Sequence, residues 1–309
     1  MRSLAAIIGL LCLISGCANA QQEDSRSSTT RLIAVDTGVS LAITDWGGAG
    51  PPLLFVPSWS GTEHLFDDFA PRFTDAYRVI VMNKRGHGAS SRPDHGYTID
   101  RLTQDMLVVL DSLGIERATV FALSRSASLV TQFAARYPER VDKLVYLSGP
   151  IDRAHAQATP KADLRRRLGD LIESLGADCP GASITYPVGS FDDTADTLGV
   201  AWRQQDPPPP YEGVRAPALA FWAGADIGES LTSRCGRTPG AGWSVEVLER
   251  YRPLWEVMDG ERSHDIELFQ RELGGRVVEI PGADYYTYMT HPQLVEREVR
   301  SFLERGGAE

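Results

Sequence analysis

Residues 118–141 read ATVFALSRSASLVTQFAARYPERV, a short run of β-forming residues that passes directly into a helical pattern. The helical pattern begins near Arg125, so Ser124 falls on a sharp strand-to-helix bend. Such a bend presents the serine Oγ outward and leaves the next backbone N–H at a helix N-terminus. The small residues Ala122 and Ser126 suit a place where two backbones crowd. Ser126 is a rival for the exposed position, and a serine that merely caps a helix is the plainer interpretation, but the register of the helix favours Ser124.

The same alternation of strands and helices continues on both sides of this bend. Two runs near the start of the mature chain, RLIAV and LAITDWG, predict an antiparallel pair. Short apolar runs follow, and they read PLLFVP, RVIVMN, ATVFAL, KLVYLSG, ALAFWAG and RVVEIPG. Helical patterns separate them at residues 99–113, 125–137, 244–273 and 292–303. Continuous apolar strands separated by helices predict an α/β protein whose mostly parallel, doubly wound sheet carries helices on both faces.

One stretch, residues 151–215, interrupts this alternation. It is polar, charged and rich in proline, and it contains one helix-like segment, KADLRRRLGDLIESLG. Leucine and isoleucine recur there at helical spacing, which favours a packed helix over a disordered loop. We interpret residues 151–215 as a cap over the carboxyl ends of the strands, where ligands bind in open α/β sheets. The core of the fold then comprises residues 31–150 and 216–309.

The first twenty residues have the features of a secretory signal. An arginine is followed by an apolar run that is too short to span a membrane, and then by small residues. The sequence Ile-Ser-Gly-Cys ending at Cys17 is similar to a bacterial lipobox, in which Cys17 is lipidated; cleavage after Ala20 is the alternative. We favour the lipobox, which predicts an exported, periplasmic lipoprotein held at a membrane by its lipid alone. Residues 21–30 are polar and predict a flexible tether.

Composition excludes several classes of function. The chain has 309 residues and a formal net charge of −10, whereas a nucleic-acid partner requires a basic surface. Neither a metal-ligand spacing, nor a phosphate loop, nor a dinucleotide fingerprint occurs, so we expect no cofactor or metal. In an oxidising compartment Cys179 and Cys235 could pair, and two free thiols are an equal alternative. Oligomeric state is not indicated.

The order of several motifs resembles that of the α/β-hydrolase superfamily over almost the whole mature chain. LLFVPSWSG is similar to the oxyanion-loop strand, with Pro57-Ser58 where His-Gly is usual. NKRGHGAS contains the Arg-Gly-His-Gly-x-Ser turn at residues 85–90, and EHLFDDFAPR follows the pattern of one subgroup. ALSRSA coincides with the Gly-x-Ser-x-Gly elbow. AFWAGAD matches the strand that ends in the acid of the triad.

This resemblance implies roles for individual residues. Ser124 would be the nucleophile, and the backbone N–H groups of Trp59 and Arg125 would form the oxyanion hole. Asp226 would orient a histidine base, with Asp152 as a lesser candidate for the acid. The last motif, IPGADYYTYMTHPQLVEREVRSFL, contains Tyr285 at the position of that histidine.

A serine is a poor nucleophile without a neighbour that accepts its proton, and a phenol is a weak base near neutral pH. Two hypotheses follow. The first is a serine hydrolase of small esters, lactones or amides with an altered or relocated base, for which His64 is the candidate replacement. The second is a pseudo-hydrolase that binds a small ligand or a partner. In a third, weaker interpretation, Tyr285 and Asp284 act as acid and orienter of another reaction.

Overall fold

The computed structural model describes residues 27–149, 161–179, 187–192, 211–224, 226–235, 242–283 and 285–305. The predicted signal segment with Cys17, most of the tether, Asp152 and Asp284 lie outside the described residues. In the described residues, no helix is both long and apolar enough to cross a membrane.

Eight strands form one sheet. They are β1 Thr29–Asp36, β2 Val39–Gly47, β3 Pro52–Val56, β4 Arg78–Met82, β5 Ala118–Leu123, β6 Val141–Leu147, β7 Ala218–Gly224 and β8 Arg276–Pro281. Their order is β1-β2-β4-β3-β5-β6-β7-β8. The pairs β1–β2 and β2–β4 are antiparallel, and every other pair is parallel. The predicted mostly parallel sheet with an opening antiparallel pair is confirmed.

One boundary differs from the prediction. β1 begins at Thr29, inside the segment predicted as a tether, because Thr29 and Thr30 pair with Asp45 and Thr44 of β2. Polar composition alone suggested a tether there, and the pairing with a neighbouring strand overrode it.

Helices connect the strands. The α-helices are α1 Ile99–Ser112, α2 Ser126–Arg136, α3 Lys161–Leu175, α4 Ile227–Arg234, α5 Val245–Leu273, α6 Thr287–Thr290 and α7 Pro292–Glu304. Short 3-10 helices span Glu63–Phe66, Ala70–Phe73, Pro138–Arg140 and Gly176–Asp178. The helical patterns of the sequence end within two residues of the observed ends of α1, α2, α5 and α7.

The sheet separates two apolar cores. Side chains alternate between the faces along each strand, so Leu54 packs under α1 and α2 while Phe55 packs under α7. Phe55 stacks on Phe121 of β5 with 4.1 Å between ring centroids. Helices on both faces therefore bury the central strands, and every residue of β5 is buried, as in a doubly wound sheet.

A third, smaller core includes residues of 161–179, which fall within the segment predicted as a cap. Of that predicted cap, residues 151–160, 180–186 and 193–210 lie outside the described residues. Leu171 of α3 packs with Leu231 of α4 and with Tyr251 and Leu254 of α5. The Cys179–Cys235 disulfide joins the end of α3 to the end of α4, which answers the pairing that the sequence left open. The far end of α5 contributes Phe269 to the main core, so this helix connects the cap to the sheet.

Candidate active site

Ser124 lies on the bend between β5 and α2. Its φ of 56° falls in the left-handed region, which costs free energy for any residue with a side chain and is commonest at functional sites. The strand ends at Leu123 and the helix begins at Ser126, so the turn is complete within two residues. Ser124 is half-buried, whereas the preceding strand residues are fully buried.

The structure distinguishes Ser124 from its rival. Ser126 is 0% exposed, and its hydroxyl donates a hydrogen bond to the carbonyl of Pro57. A hydroxyl that is both buried and engaged cannot attack a bound substrate, so Ser124 is the serine that the bend presents.

Tyr285 contacts Ser124 from a loop that is distant from it in the chain. Its loop follows β8, three strands away from β5 in the sheet, and its hydroxyl donates a hydrogen bond of 2.5 Å to Ser124 Oγ. The ring is 42% exposed and packs edge-on against Tyr286 with centroids 5.3 Å apart. A phenol therefore occupies the place at Ser124 Oγ where the resemblance implies an imidazole.

Ser148 holds the backbone of this loop. It follows β6, the neighbour of β5, and its φ of 100° makes it the second described residue other than glycine with a positive φ. Its hydroxyl donates a hydrogen bond to the carbonyl oxygen of Tyr285. Strained residues thus stand at both ends of the Ser124–Tyr285 contact, and Ser148 is a site residue that the sequence reasoning missed. The signal was present as the serine in LVYLSG, directly after a buried strand.

Asp226 follows β7, as the motif order predicts. Its carboxylate accepts a hydrogen bond of 2.8 Å from the backbone N–H of Glu229, and it therefore caps the N-terminus of α4. Asp226 is exposed, and its predicted role as an orienter stays a prediction.

Three successive carbonyl groups of the predicted oxyanion loop point into the protein. The carbonyl of Pro57 accepts from Ser126 and from Lys84 Nζ, the carbonyl of Ser58 accepts from Lys84 Nζ, and the carbonyl of Trp59 contacts His87 Nε2. The register of the sheet sets Val56 beside Ala122, so this loop leaves β3 next to the bend that carries Ser124.

A short piece of the cap clamps the same loop. Thr62 N–H donates to the carbonyl of Ser190 over 2.9 Å, and Asp192 N–H donates to the carbonyl of Ser60 over 2.9 Å. Gly61 pairs with Phe191 between these two bonds in an isolated antiparallel bridge. Residues 190–192, within the segment predicted as a cap, therefore help to fix the conformation of residues 60–62.

Four of the histidines that the structure describes have identified contacts with groups other than Ser124 Oγ. His64, the candidate replacement base, binds Asp67 through Nδ1 over 2.8 Å, and its Nε2 faces Glu63. His87 is buried between the carbonyls of Arg85 and Trp59. Burial, and then the charge of Lys84, lowers the pKa of His87 to about 3, so its ring is neutral and structural. His95 binds Asp94 and His291 binds Thr290.

Metal ligation finds no support in the described part of the chain, since no three His, Cys, Asp or Glu side chains there lie close enough to hold an ion.

An eight-stranded, mostly parallel sheet with a serine on the bend after β5 defines the α/β-hydrolase class of fold. A family model described as alpha/beta hydrolase fold matches residues 51–171. The chain has the α/β-hydrolase fold, and over these residues its sequence is similar to that superfamily.

Its relatives catalyse several reactions. The chain is 23% identical over 267 residues to a 2-(acetamidomethylene)succinate hydrolase of Mesorhizobium japonicum, covering 83% of this chain and 89% of the relative. It is 33% identical over 133 residues to 3-oxoadipate enol-lactonase 2 of Acinetobacter baylyi, covering 42% of this chain and 50% of the relative. The chain spans about half or less of the length of most of the curated relatives that it matches.

Solved structures share the fold. The crystal structure of E-2-(acetamidomethylene)succinate hydrolase superposes with a TM-score of 0.58 at 18% identity, covering 90% of this chain and 100% of that one. A thermophilic esterase from Thermogutta terrifontis superposes with a TM-score of 0.60 at 18% identity, covering 91% of this chain and 100% of that one.

Proposed function

We propose that this protein is a serine hydrolase of small ester, lactone or amide substrates in which Tyr285 replaces the histidine base. The observation that carries the proposal is the hydrogen bond of 2.5 Å between the Tyr285 hydroxyl and Ser124 Oγ. The relatives that are named hydrolase, enol-lactonase and epoxide hydrolase support hydrolysis as the reaction type.

The proposed mechanism begins with the phenolate form of Tyr285. A phenolate accepts the Ser124 proton, the Ser124 Oγ forms a bond to the substrate carbonyl carbon, and negative charge develops on the carbonyl oxygen. The N–H groups of Trp59 and Arg125 stabilise that charge. As the intermediate collapses, the bond to the leaving alcohol or amine breaks and the phenol returns the proton to it. Water then releases the acid product by the same sequence, and Tyr285 again accepts and returns one proton.

The neutral form of Tyr285 has the opposite effect on Ser124. A phenol that donates its proton to Ser124 Oγ occupies a lone pair of the nucleophile. Phenols titrate near pH 10, so the phenolate is a minor species at neutral pH and turnover there is slow. The proposal is therefore a hydrolase whose rate rises in alkaline solution.

A second candidate function is favoured by the same donor geometry. Two hydroxyl groups and the N–H groups of Trp59 and Arg125 would face a ligand as hydrogen-bond donors, and they suit a small molecule with a carbonyl or carboxylate group. On this candidate, Tyr285 caps Ser124 and the chain is a binding protein that has lost turnover.

A fluorophosphonate probe distinguishes the two candidates, because it reacts covalently with an activated serine. We expect labelling of the purified protein to increase between pH 7 and pH 9, and to be absent from Ser124→Ala. Tyr285→Phe removes only the phenol oxygen, so it should abolish the increase if Tyr285 is the base. Labelling that is absent at both pH values would favour the binding protein. Labelling that still increases with pH in Tyr285→Phe would show that Tyr285 is not the base.

We further propose that the protein is exported and anchored by a lipid on Cys17. The pairing of Cys179 with Cys235 supports an oxidising compartment. Expression of the full chain and of Cys17→Ser, followed by fractionation and intact-mass measurement, tests this proposal. We expect the diacylglycerol mass and membrane retention in the full chain alone; a soluble product cleaved after Ala20 in both would contradict it.

A further inference from the structure

Lys84 lies directly beneath the oxyanion loop. It lies two residues after the end of β4 and is only 2% exposed, so its side-chain amine is shielded from solvent. Nζ donates to the carbonyl of Pro57 over 2.9 Å and to the carbonyl of Ser58 over 2.8 Å. These bonds offset part of the cost of burying a charged group, although burial still lowers the pKa of Lys84 to about 7.

The two bonds determine which way the loop peptides face. In a planar trans peptide the C=O of one residue and the N–H of the next point in opposite directions, and the described chain contains no cis peptide bond. With the Ser58 carbonyl directed at Lys84 Nζ, the N–H of Trp59 must point away from Lys84. The Pro57 carbonyl is held in the same way, and Ser126 beside the bend also donates to it.

A hydrophobic side chain at position 84 could fill the same space without the cost of desolvating an ammonium group. Lys84 instead bears that cost and donates two hydrogen bonds, which fix the orientation of a loop that carries a predicted oxyanion donor. Interactions of this kind matter because a displacement of about 1 Å in a catalytic group can lower a rate by about 100-fold.

We propose that Lys84 is a positioning residue whose buried Nζ, by donating to two carbonyls, orients the peptides after Pro57 and Ser58, so that the N–H of Trp59 faces the oxygen of a bound carbonyl or phosphonyl group. The expected effect of Lys84 on the reactivity of Ser124 rests on the proposed hydrolase function. Its expected effect on the loop conformation rests on the hydrogen bonds alone.

The test compares Lys84→Met with Lys143→Met. Lys143 is a matched control, because it is also buried and also donates to a backbone carbonyl, that of Leu303 over 2.9 Å, at the start of β6. Two measurements are made on the full chain, the first at pH 6 and the second at pH 9, where the proposed function expects Ser124 to be labelled. They are the amide hydrogen exchange of a peptide that covers residues 57–62 and the rate constant of fluorophosphonate labelling at Ser124.

We expect Lys84→Met to accelerate exchange in residues 57–62 at least tenfold and to lower the labelling rate constant by about 10- to 100-fold. Lys143→Met should leave both values unchanged relative to the wild type. Equal effects of the two variants, or a Lys84→Met protein with unchanged loop exchange or unchanged labelling, would overturn the inference. If Lys84→Met does not fold, Ser126→Ala removes the other donor to Pro57, and it must change both values in the same direction.

Failure of the proposed function has a different signature. If the wild-type protein is not labelled at pH 6 or pH 9, the hydrolase proposal fails, and the loop exchange by itself decides whether Lys84 positions the loop.

Discussion

The pH dependence of ester hydrolysis is the sharpest test of the Ser124–Tyr285 contact. A phenol that titrates near pH 10 is about 0.1% ionised at pH 7 and about half ionised at pH 10. Because the phenolate is the form that accepts the Ser124 proton, we expect the rate to rise about tenfold per pH unit and about 500-fold in total over this range. An imidazole base, which titrates near pH 6.5, would instead give a rate that levels off above pH 7 or so.

The assay measures initial rates with a small chromogenic ester between pH 6 and pH 10. Ser124→Ala provides the background of hydroxide hydrolysis, which is subtracted at each pH. Tyr285→Phe is the matched variant because it keeps the ring and its packing against Tyr286, and its corrected rate should stay flat. Histidine is a poorer choice at position 285, since an imidazole is shorter than a phenol and reaches less far toward Ser124.

Two results would refute this reasoning. A corrected rate that levels off near pH 7 would show that a histidine outside the Ser124–Tyr285 pair accepts the proton. An alkaline rise that persists in Tyr285→Phe would show that the phenol oxygen is not the base.

Three further predictions concern the supports of the site. Ser148→Ala removes the bond to the Tyr285 carbonyl, so we expect a loss of about 1 kcal/mol in unfolding free energy and a severalfold lower rate at pH 9 with an unchanged pH profile; an unchanged rate would exclude the support. Reduction of the Cys179–Cys235 disulfide, whose cysteines are 56 residues apart, should lower the free energy of unfolding by up to about 4 kcal/mol, and a melting temperature that is insensitive to reductant would contradict this. His87 has a folded pKa of about 3 against an ordinary value of 6.5, so the unfolded chain binds more protons between these values, and stability is lost as pH falls from about 6.5 toward 3. His87→Gln should flatten that part of the curve of melting temperature against pH, whereas an equal acid slope in both proteins would refute the assignment.

Short-range patterns predicted the architecture well. Apolar runs ending in small residues located strands such as β3 and β5, and helical spacing located α1 and α7 within two residues of their ends. These features are readable because strand and helix periods act between residues that are near one another in the chain. Thr29 shows where such short-range patterns fail. It lies in a polar segment that predicts a tether, but it pairs with Asp45 of β2.

The sequence by itself determined the class of fold, the bend at residues 122–126 and the presence of a tyrosine where a histidine was expected, because each is written in neighbouring residues. Only the tertiary structure decided that Ser124 is half-buried while Ser126 is fully buried, that the Tyr285 hydroxyl contacts Ser124, and that Cys179 is bonded to Cys235. The roles of Lys84 and Ser148 likewise became visible only there. The order of the strands and the directions of the side chains bring these residues together. Neither property can be read from the spacing of residues along the chain.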